Sequence, residues 1–244
     1  MRTYAIGDIH GHLDKLRQAH RLIEADRAAC QDNEAPVVHV GDLVDRGPDS
    51  RGVVEFLLRG QLAGENWVVL KGNHDRMFRG FMTHPDYHDP RLRPELYWLH
   101  PRLGGDCTLA SYGVRGMGER FLHDLHQDAL AAVPIDHLGF VDQLPLYFIR
   151  GACLFVHAGI RPGRDIADQT EDDLLWIRSD FQTDHSDHGY LVVHGHTPVA
   201  EVTHYGNRLN IDTGAGYGKA LSAVVIEGRR VFHLTDAGRV EITV

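Results

Sequence analysis

Three times in the first third of the chain, a short apolar run ends in a glycine-bearing polar loop and gives way to helical spacing. Tyr4-Ala5-Ile6 runs into Gly7-Asp8-Ile9-His10-Gly11, after which Leu13, Leu16 and Ile23, with Leu22 beside them, recur at helical intervals. Pro36-Val37-Val38-His39-Val40 runs into Gly41-Asp42-Leu43-Val44-Asp45-Arg46-Gly47. A helix follows, with Asp49 or Ser50 as cap and Val53, Val54, Phe56, Leu57 and Leu58 as its apolar side. Trp67-Val68-Val69-Leu70 then runs into Lys71-Gly72-Asn73-His74-Asp75. Repeated strand, loop and helix predict βαβ units and a parallel sheet. All three loops are expected at its carboxyl edge, where open α/β sheets place ligand sites. A loop Asp ahead of a helix is commonly an N-cap, but capping does not call for His and Asn at these places.

Residues 76–145 change character. Met77, Phe78, Phe81, Leu96, Tyr97, Trp98 and Leu99 are interrupted by Pro85, Pro90, Pro94 and Pro101, a pattern of short helices with irregular links. Helical spacing returns from Glu119 to Val133. The stretch reads as a helical insert flanking the site, with His123, His126 and His137 as exposed or core-edge side chains rather than ligands. Strands resume beyond it. Tyr147-Phe148-Ile149 and Leu154-Phe155-Val156 read as a hairpin leading to His157, and Leu174-Leu175-Trp176-Ile177-Arg178 follows among them. Leu191-Val192-Val193 leads to His194-Gly195-His196-Thr197-Pro198. The runs at Leu209–Asp212, Leu221–Ile226 and Val231–Leu234 read as sheet strands joined by Gly-rich turns.

Composition narrows the function classes. The 244 residues are 43% hydrophobic and 24% charged, an ordinary soluble balance expected to form a single domain over residues 1–244. A formal net charge of −9 argues against nucleic acid as partner, because phosphate backbones need basic patches. Bound cations would still allow a phosphorylated substrate. Three widely spaced cysteines, Cys30, Cys107 and Cys153, indicate neither a disulfide framework nor a thiolate metal knot, so a cytoplasmic location is expected. No signal-peptide pattern and no long apolar stretch are present, so no membrane partner is expected.

Five strand ends carry Asp8, His10, Asp42, Asn73, His157 and His196: two carboxylates, one amide and three imidazoles. Without a thiolate, that set suits manganese, iron or zinc. Six ligands are too many for one tetrahedral zinc and enough for two ions that share a bridging carboxylate and water.

Gly-Asp-x-His-Gly, Gly-Asp-x-Val-Asp-Arg-Gly, Gly-Asn-His-Asp, His-Ala-Gly and Gly-His-Thr, in this order, resemble the calcineurin-like metallophosphoesterases. Asp45-Arg46-Gly47 and Trp176-Ile177-Arg178 resemble the phosphoprotein phosphatase branch, and short bacterial and phage serine/threonine phosphatases are similar in layout. The resemblance runs from about Thr3 to Ile226. It implies an α/β fold of two packed mixed sheets flanked by helices, with the helical insert at about residues 76–145. It implies two divalent ions, manganese first and iron or zinc next. Asp8 and His10 would hold the first, Asp42 would bridge, and Asn73, His157 and His196 would complete the second. His74 would be the general acid, Asp45 its orienting carboxylate, and Arg46 and Arg178 the phosphate clamp.

The expected activity is metal-dependent hydrolysis of phosphomonoesters, with phosphoserine or phosphothreonine in proteins, or a small phosphoester, as substrate. Asp75 departs from the branch, where Glu is common; Asp there also occurs in the related diadenosine tetraphosphate hydrolases. Symmetric cleavage of that dinucleotide is therefore the alternative activity. Pro198, where broader metallophosphoesterases carry a second His, fits the phosphatase branch. A catalytically silent metal-binding scaffold is the alternative of another class, but it would not need His74, Asp45 and two arginines.

Overall fold

Tyr4, Ala5 and Ile6 are all buried, although consecutive side chains on a strand face opposite ways. The strand must therefore be covered on both faces. A computed structural model, describing residues 1–244, shows how. The first half runs β1 (Arg2–Ile6), α1 (Leu13–Cys30), β2 (Val37–His39), α2 (Ser50–Leu62) and β3 (Trp67–Val69), then α3 (Asn73–Thr83), α4 (Gly105–Ser111), α5 (Leu122–Ala132) and α6 (Ile135–Asp142). The second half runs β4 (Tyr147–Arg150), β5 (Cys153–Val156), α7 (Glu171–Trp176), α8 (Ser179–Gln182) and β6 (Leu191–His194). It ends with β7 (Thr203–His204), β8 (Arg208–Asn210), β9 (Ala223–Glu227), β10 (Arg230–Thr235) and β11 (Gly238–Ile242).

Two mixed sheets result, as the resemblance implied. One has the order β11-β10-β9-β1-β2-β3 and the other β4-β5-β6-β8-β7. β1, β2 and β3 are parallel, with Tyr4 opposite Val37 and Val37 opposite Trp67, as the strand–loop–helix rhythm required. β5, β6 and β8 are parallel in the second sheet. Between the sheets, Ala5, Val38, Val40 and Leu70 pack with Phe155, Leu191, Val193 and Leu209. On the outer face of the first sheet, Tyr4, Ile6, Val37 and Val69 pack under Leu16 and Ile23 of α1 and Val53, Val54 and Leu57 of α2. On the outer face of the second, Leu154, Val156 and Val192 pack with Leu174, Ile177 and Phe181. No helix is long and apolar enough to cross a membrane.

Local chemistry explains the boundaries. Asp49 is the cap of α2, and its carboxylate accepts the Gly52 N–H at 2.8 Å. The run Leu174–Arg178, read among the strands, instead closes a helix. Thr170 Oγ1 accepts the Asp173 N–H at 3.1 Å, and the Asp173 carboxylate accepts the Thr170 N–H at 3.3 Å, so a capping box starts α7. Glu171, Asp172 and Asp173 also favour that helix end through its dipole. The insert is helical, as its spacing indicated. Its histidines differ from the reading: His123 is exposed, but His126 and His137 are buried. His137 bonds to Tyr112 Oη at 2.9 Å and Glu55 at 2.6 Å, and His126 packs edge-on against Phe81.

Candidate active site

The three parallel strands of each sheet end at the same place. β1 delivers Asp8 and His10, β2 delivers Asp42, and β3 delivers Asn73 and His74. From the second sheet, β5 delivers His157, β6 delivers His196 and β8 delivers Asp212. The two edges are stitched together. The His196 N–H donates to Asp8 Oδ2 at 2.9 Å, and His157 Nδ1 donates to the Val40 carbonyl at 2.9 Å. Gly195 permits the approach, since a Cβ there would lie 1.9 Å from Asp8 Oδ1. Six non-glycine residues have positive φ. All but Gln31 lie here: His10, Asp42, Asp45, Arg46 and His196. Such backbone costs about 1–3 kcal/mol per residue and gathers where function requires it.

Asp42 is central. His10, Asp42 and His74 form one group of ligand-type atoms within 4.8 Å of one another, and Asp42, His157 and His196 form a second. Asp8, expected beside His10, is not one of the first three. Its Oδ2 is taken by the His196 N–H, and its Oδ1 is buried without a hydrogen-bond partner. His10 Nδ1 donates to the Val44 carbonyl at 2.9 Å, which leaves Nε2 as a lone pair 3.4 Å from Asp42 Oδ2. His157 likewise keeps Nε2 free, 3.4 Å from Asp42 Oδ1. Asn73 Oδ1 lies 2.9 Å from that nitrogen and 2.8 Å from His196 Nδ1. Lone pairs converging at these separations are spaced as ligands of one divalent ion are, each about 2.0–2.2 Å from the metal.

The electrostatics point the same way. Burial, and then the Arg46 charge, holds the His10 imidazole well below its ordinary range; burial also lowers His157 and His196. Each shift favours the neutral ring, the form a metal ligand needs. Burial opposes the Asp42 charge, but His157, His74, His10 and His196 around it hold its carboxyl far below the usual range. Burial and then the neighbouring charges of Asp212 and Asp42 push Asp8 well up. Asp212 itself is pushed up to about 6, chiefly by burial. Buried carboxylates crowded in this way are a site for cations. The donor set, its spacing and the unpartnered Asp8 Oδ1 all fit divalent metal.

His74, a member of the first group, is also tied outward. Its Nδ1 donates to Asp45 Oδ2 at 2.6 Å, and its Nε2 accepts from Arg46 Nη2 at 3.0 Å. Asp45 is wholly buried and held from the insert: Trp98 Nε1 donates to Oδ2 at 2.9 Å and Thr108 Oγ1 to Oδ1 at 2.7 Å. Arg46 Nη1 also contacts His10 Nε2, and its guanidinium lies 4.7 Å over the Tyr217 ring. Arg178 is exposed at the rim, 3.5 Å from Thr197 Oγ1. Asp75, the departure noted above, faces inward and not the opening. Its oxygens accept the Leu43 N–H at 2.9 Å and the Gly72 N–H at 2.8 Å, bracing one site loop against the next.

The structure thus gathers Asp8, His10, Asp42, Asp45, Arg46, Asn73, His74, His157 and His196, with Arg178 at the mouth. The sequence reading missed Asp212, Trp98 and Thr108. Asp212 carried a signal, an apolar strand ending in Asp before a Gly-rich turn, which is the pattern of the first two loops.

Comparison with known proteins adds a family. The model described as calcineurin-like phosphoesterase matches residues 1–220. Bis(5'-nucleosyl)-tetraphosphatase PrpE (asymmetrical) from Anoxybacillus flavithermus is 27% identical, covering 90% of this chain and 88% of its own. The protein of the same name from Bacillus subtilis is also 27% identical, covering 89% and 87%. Among solved structures, a putative diadenosine tetraphosphatase superposes with a TM-score of 0.63 at 23% identity, over 99% of this chain and 94% of that one. The cold-active protein-tyrosine phosphatase of a psychrophilic Shewanella species gives 0.63 at 17% identity, over 99% and 80%. These two likenesses concern the fold.

Proposed function

We propose that this chain, which belongs to the calcineurin-like phosphoesterase family, hydrolyses phosphomonoesters, with phosphoserine and phosphothreonine side chains of proteins as its substrate class. Membership makes it a metallophosphoesterase; the finer substrate choice is argued from the site. The His74–Asp45 pair carries the reading. An alkoxide leaving from serine or threonine is a strong base and needs a proton as its bond to phosphorus breaks. The phosphate chain leaving a dinucleoside polyphosphate is a much weaker base. A buried, braced imidazole–carboxylate pair therefore has most to do on an alkyl ester.

Asp8, His10 and Asp42 would hold one divalent ion, and Asp42, Asn73, His157 and His196 a second, with manganese the first choice and iron or zinc next. Bound there, the ions supply electrophilic charge at the phosphoryl oxygens and an acidified water. The chain's own groups do the rest. Arg46 and Arg178 take the phosphoryl oxygens, for which the planar guanidinium is shaped. With the Arg46 N–H that Nε2 accepts in the structure taken instead by a phosphoryl oxygen, His74 Nε2 takes up a proton from water and passes it to the leaving oxygen. Asp45 holds Nδ1, so that Nε2 points at the site.

Hydrolysis of a dinucleoside polyphosphate is the second reading, and the names of the relatives favour it. Those names specify asymmetrical cleavage, not the symmetric reaction considered from sequence. The test is a side-by-side rate comparison. The phosphatase reading requires a higher kcat/KM on phosphoserine or phosphothreonine peptides than on diadenosine tetraphosphate. The reverse order by about tenfold, or about 1.4 kcal/mol in transition-state binding, would establish the second reading instead.

A further inference from the structure

Helix α1 and the loop between β8 and β9 meet beside the site. Lys15, in the first turn of α1, is half-buried and donates to two backbone carbonyls of that loop, Ala215 O at 2.9 Å and Lys219 O at 2.6 Å. The base of the loop is tied separately. Asp212 Oδ1 accepts the Gly214 N–H at 2.9 Å, and Thr213 Oγ1 donates to the Ala220 carbonyl at 2.8 Å. Lys15 fastens the tip, a single 3₁₀ turn at Ala215–Tyr217. Only a long stem ending in several donors reaches two carbonyls at once.

The tip touches the site directly. A Cβ on Gly216 would lie 2.6 Å from His10 Cδ2 and 3.0 Å from Arg46 Cδ, so the backbone there is pressed against both side chains. Tyr217 is 62% exposed, yet its ring backs the Arg46 guanidinium at 4.7 Å. Arg46 makes its other contacts to the imidazoles of His10 and His74, and its Nε is buried without a partner. A guanidinium held by rings rather than by a carboxylate keeps its charge for an anion.

We propose that Lys15 is a positioning residue for the phosphate site: by fastening the tip of the β8–β9 loop it seats Tyr217 against Arg46 and so fixes the guanidinium that receives the phosphoryl oxygens. The proposal rests on the reading of Arg46 as a phosphate clamp.

The test compares wild type, Lys15→Met, Lys15→Arg, Tyr217→Ala and the double variant Lys15→Met/Tyr217→Ala, each loaded with manganese. Two readouts are taken: kinetics on p-nitrophenyl phosphate and calorimetric titration with inorganic phosphate. A cation–π contact of this kind is worth roughly 2- to 5-fold in affinity. Lys15→Met and Tyr217→Ala should each raise KM and the phosphate Kd by that factor, with kcat little changed. Lys15→Arg, which keeps a forked donor, should restore both. Because Lys15 acts through Tyr217, the double variant should be no worse than the worse single variant. Unchanged KM and Kd in Lys15→Met, a loss confined to kcat, or a double variant showing the product of both losses overturns the proposal. If Lys15→Met does not fold, Lys15→Gln, with a shorter stem, takes its place under the same criteria. A wild type that binds phosphate without cleaving monoesters ends the phosphatase reading while Kd still tests Lys15. A wild type that binds no phosphate overturns the clamp and this proposal with it.

Discussion

Asp42 accepts the His74 amide N–H through Oδ1 at 2.9 Å and faces the Nε2 atoms of His10 and His157 at 3.4 Å each. One carboxylate therefore sets both the ligand cluster and the start of the helix that presents His74. The division of labour between neighbours follows from this backbone. Asn73 turns its oxygen to the two imidazoles of the second sheet, while His74 turns its ring to Asp45 and Arg46. Replacing the ring isolates the second task. His74→Asn should lower kcat on an alkyl phosphate by about 10²–10⁴-fold, the usual worth of general acid catalysis, with metal content unchanged. The loss should be much smaller on p-nitrophenyl phosphate, whose leaving group needs little protonation. Kinetics on the two substrates with elemental analysis checks this, and an equal loss on both would leave His74 as a positioning residue.

At the scale of elements, the insert acquires a role. Trp98 and Thr108, from the link before α4 and from α4 itself, hold the Asp45 carboxylate: the Trp98 indole N–H spans both oxygens and Thr108 Oγ1 donates to the one that His74 leaves open. Trp98→Phe keeps an aromatic ring against Phe78 and Phe81 but removes the indole N–H. Hydrogen bonds to charged groups contribute about 1.5–3 kcal/mol. Asp45 keeps Thr108, so the variant should lose roughly tenfold in kcat on alkyl phosphates and less on p-nitrophenyl phosphate. Loss of the same size on both substrates, measured in the same leaving-group series, would mean that the insert supports the fold and not the acid. None of this could be read in the sequence, because Trp98 and Thr108 lie 53 and 63 residues from Asp45 with no periodic signal between. The first three loops were legible for the opposite reason: strand, loop residue and helix cap are adjacent in the chain. The run Leu174–Arg178 misled because a short apolar stretch has no period of its own, and the Thr170–Asp173 capping box decided the matter. Asp212 was read as the tail of a strand, since its partners at the site come from the other sheet.

At the scale of the whole molecule, the two sheets pack face to face so that their parallel strands end together, and the site exists only where the edges meet. Asp8 and His196, 188 residues apart, are joined by one hydrogen bond across that seam. The chain carries a net charge of −9, and Asp8, Asp42 and Asp212 add buried carboxylates at the very place that must receive an anionic substrate. Two arginines do not reverse such a field, whereas divalent cations do. The central claim, that the seam is a metal-dependent phosphoesterase site, is tested most directly by p-nitrophenyl phosphate turnover before and after chelation and manganese readdition, with metal content followed by elemental analysis. The account predicts that the stripped protein is inactive and that about two equivalents of manganese restore turnover; undiminished turnover in protein shown to be metal-free would contradict it.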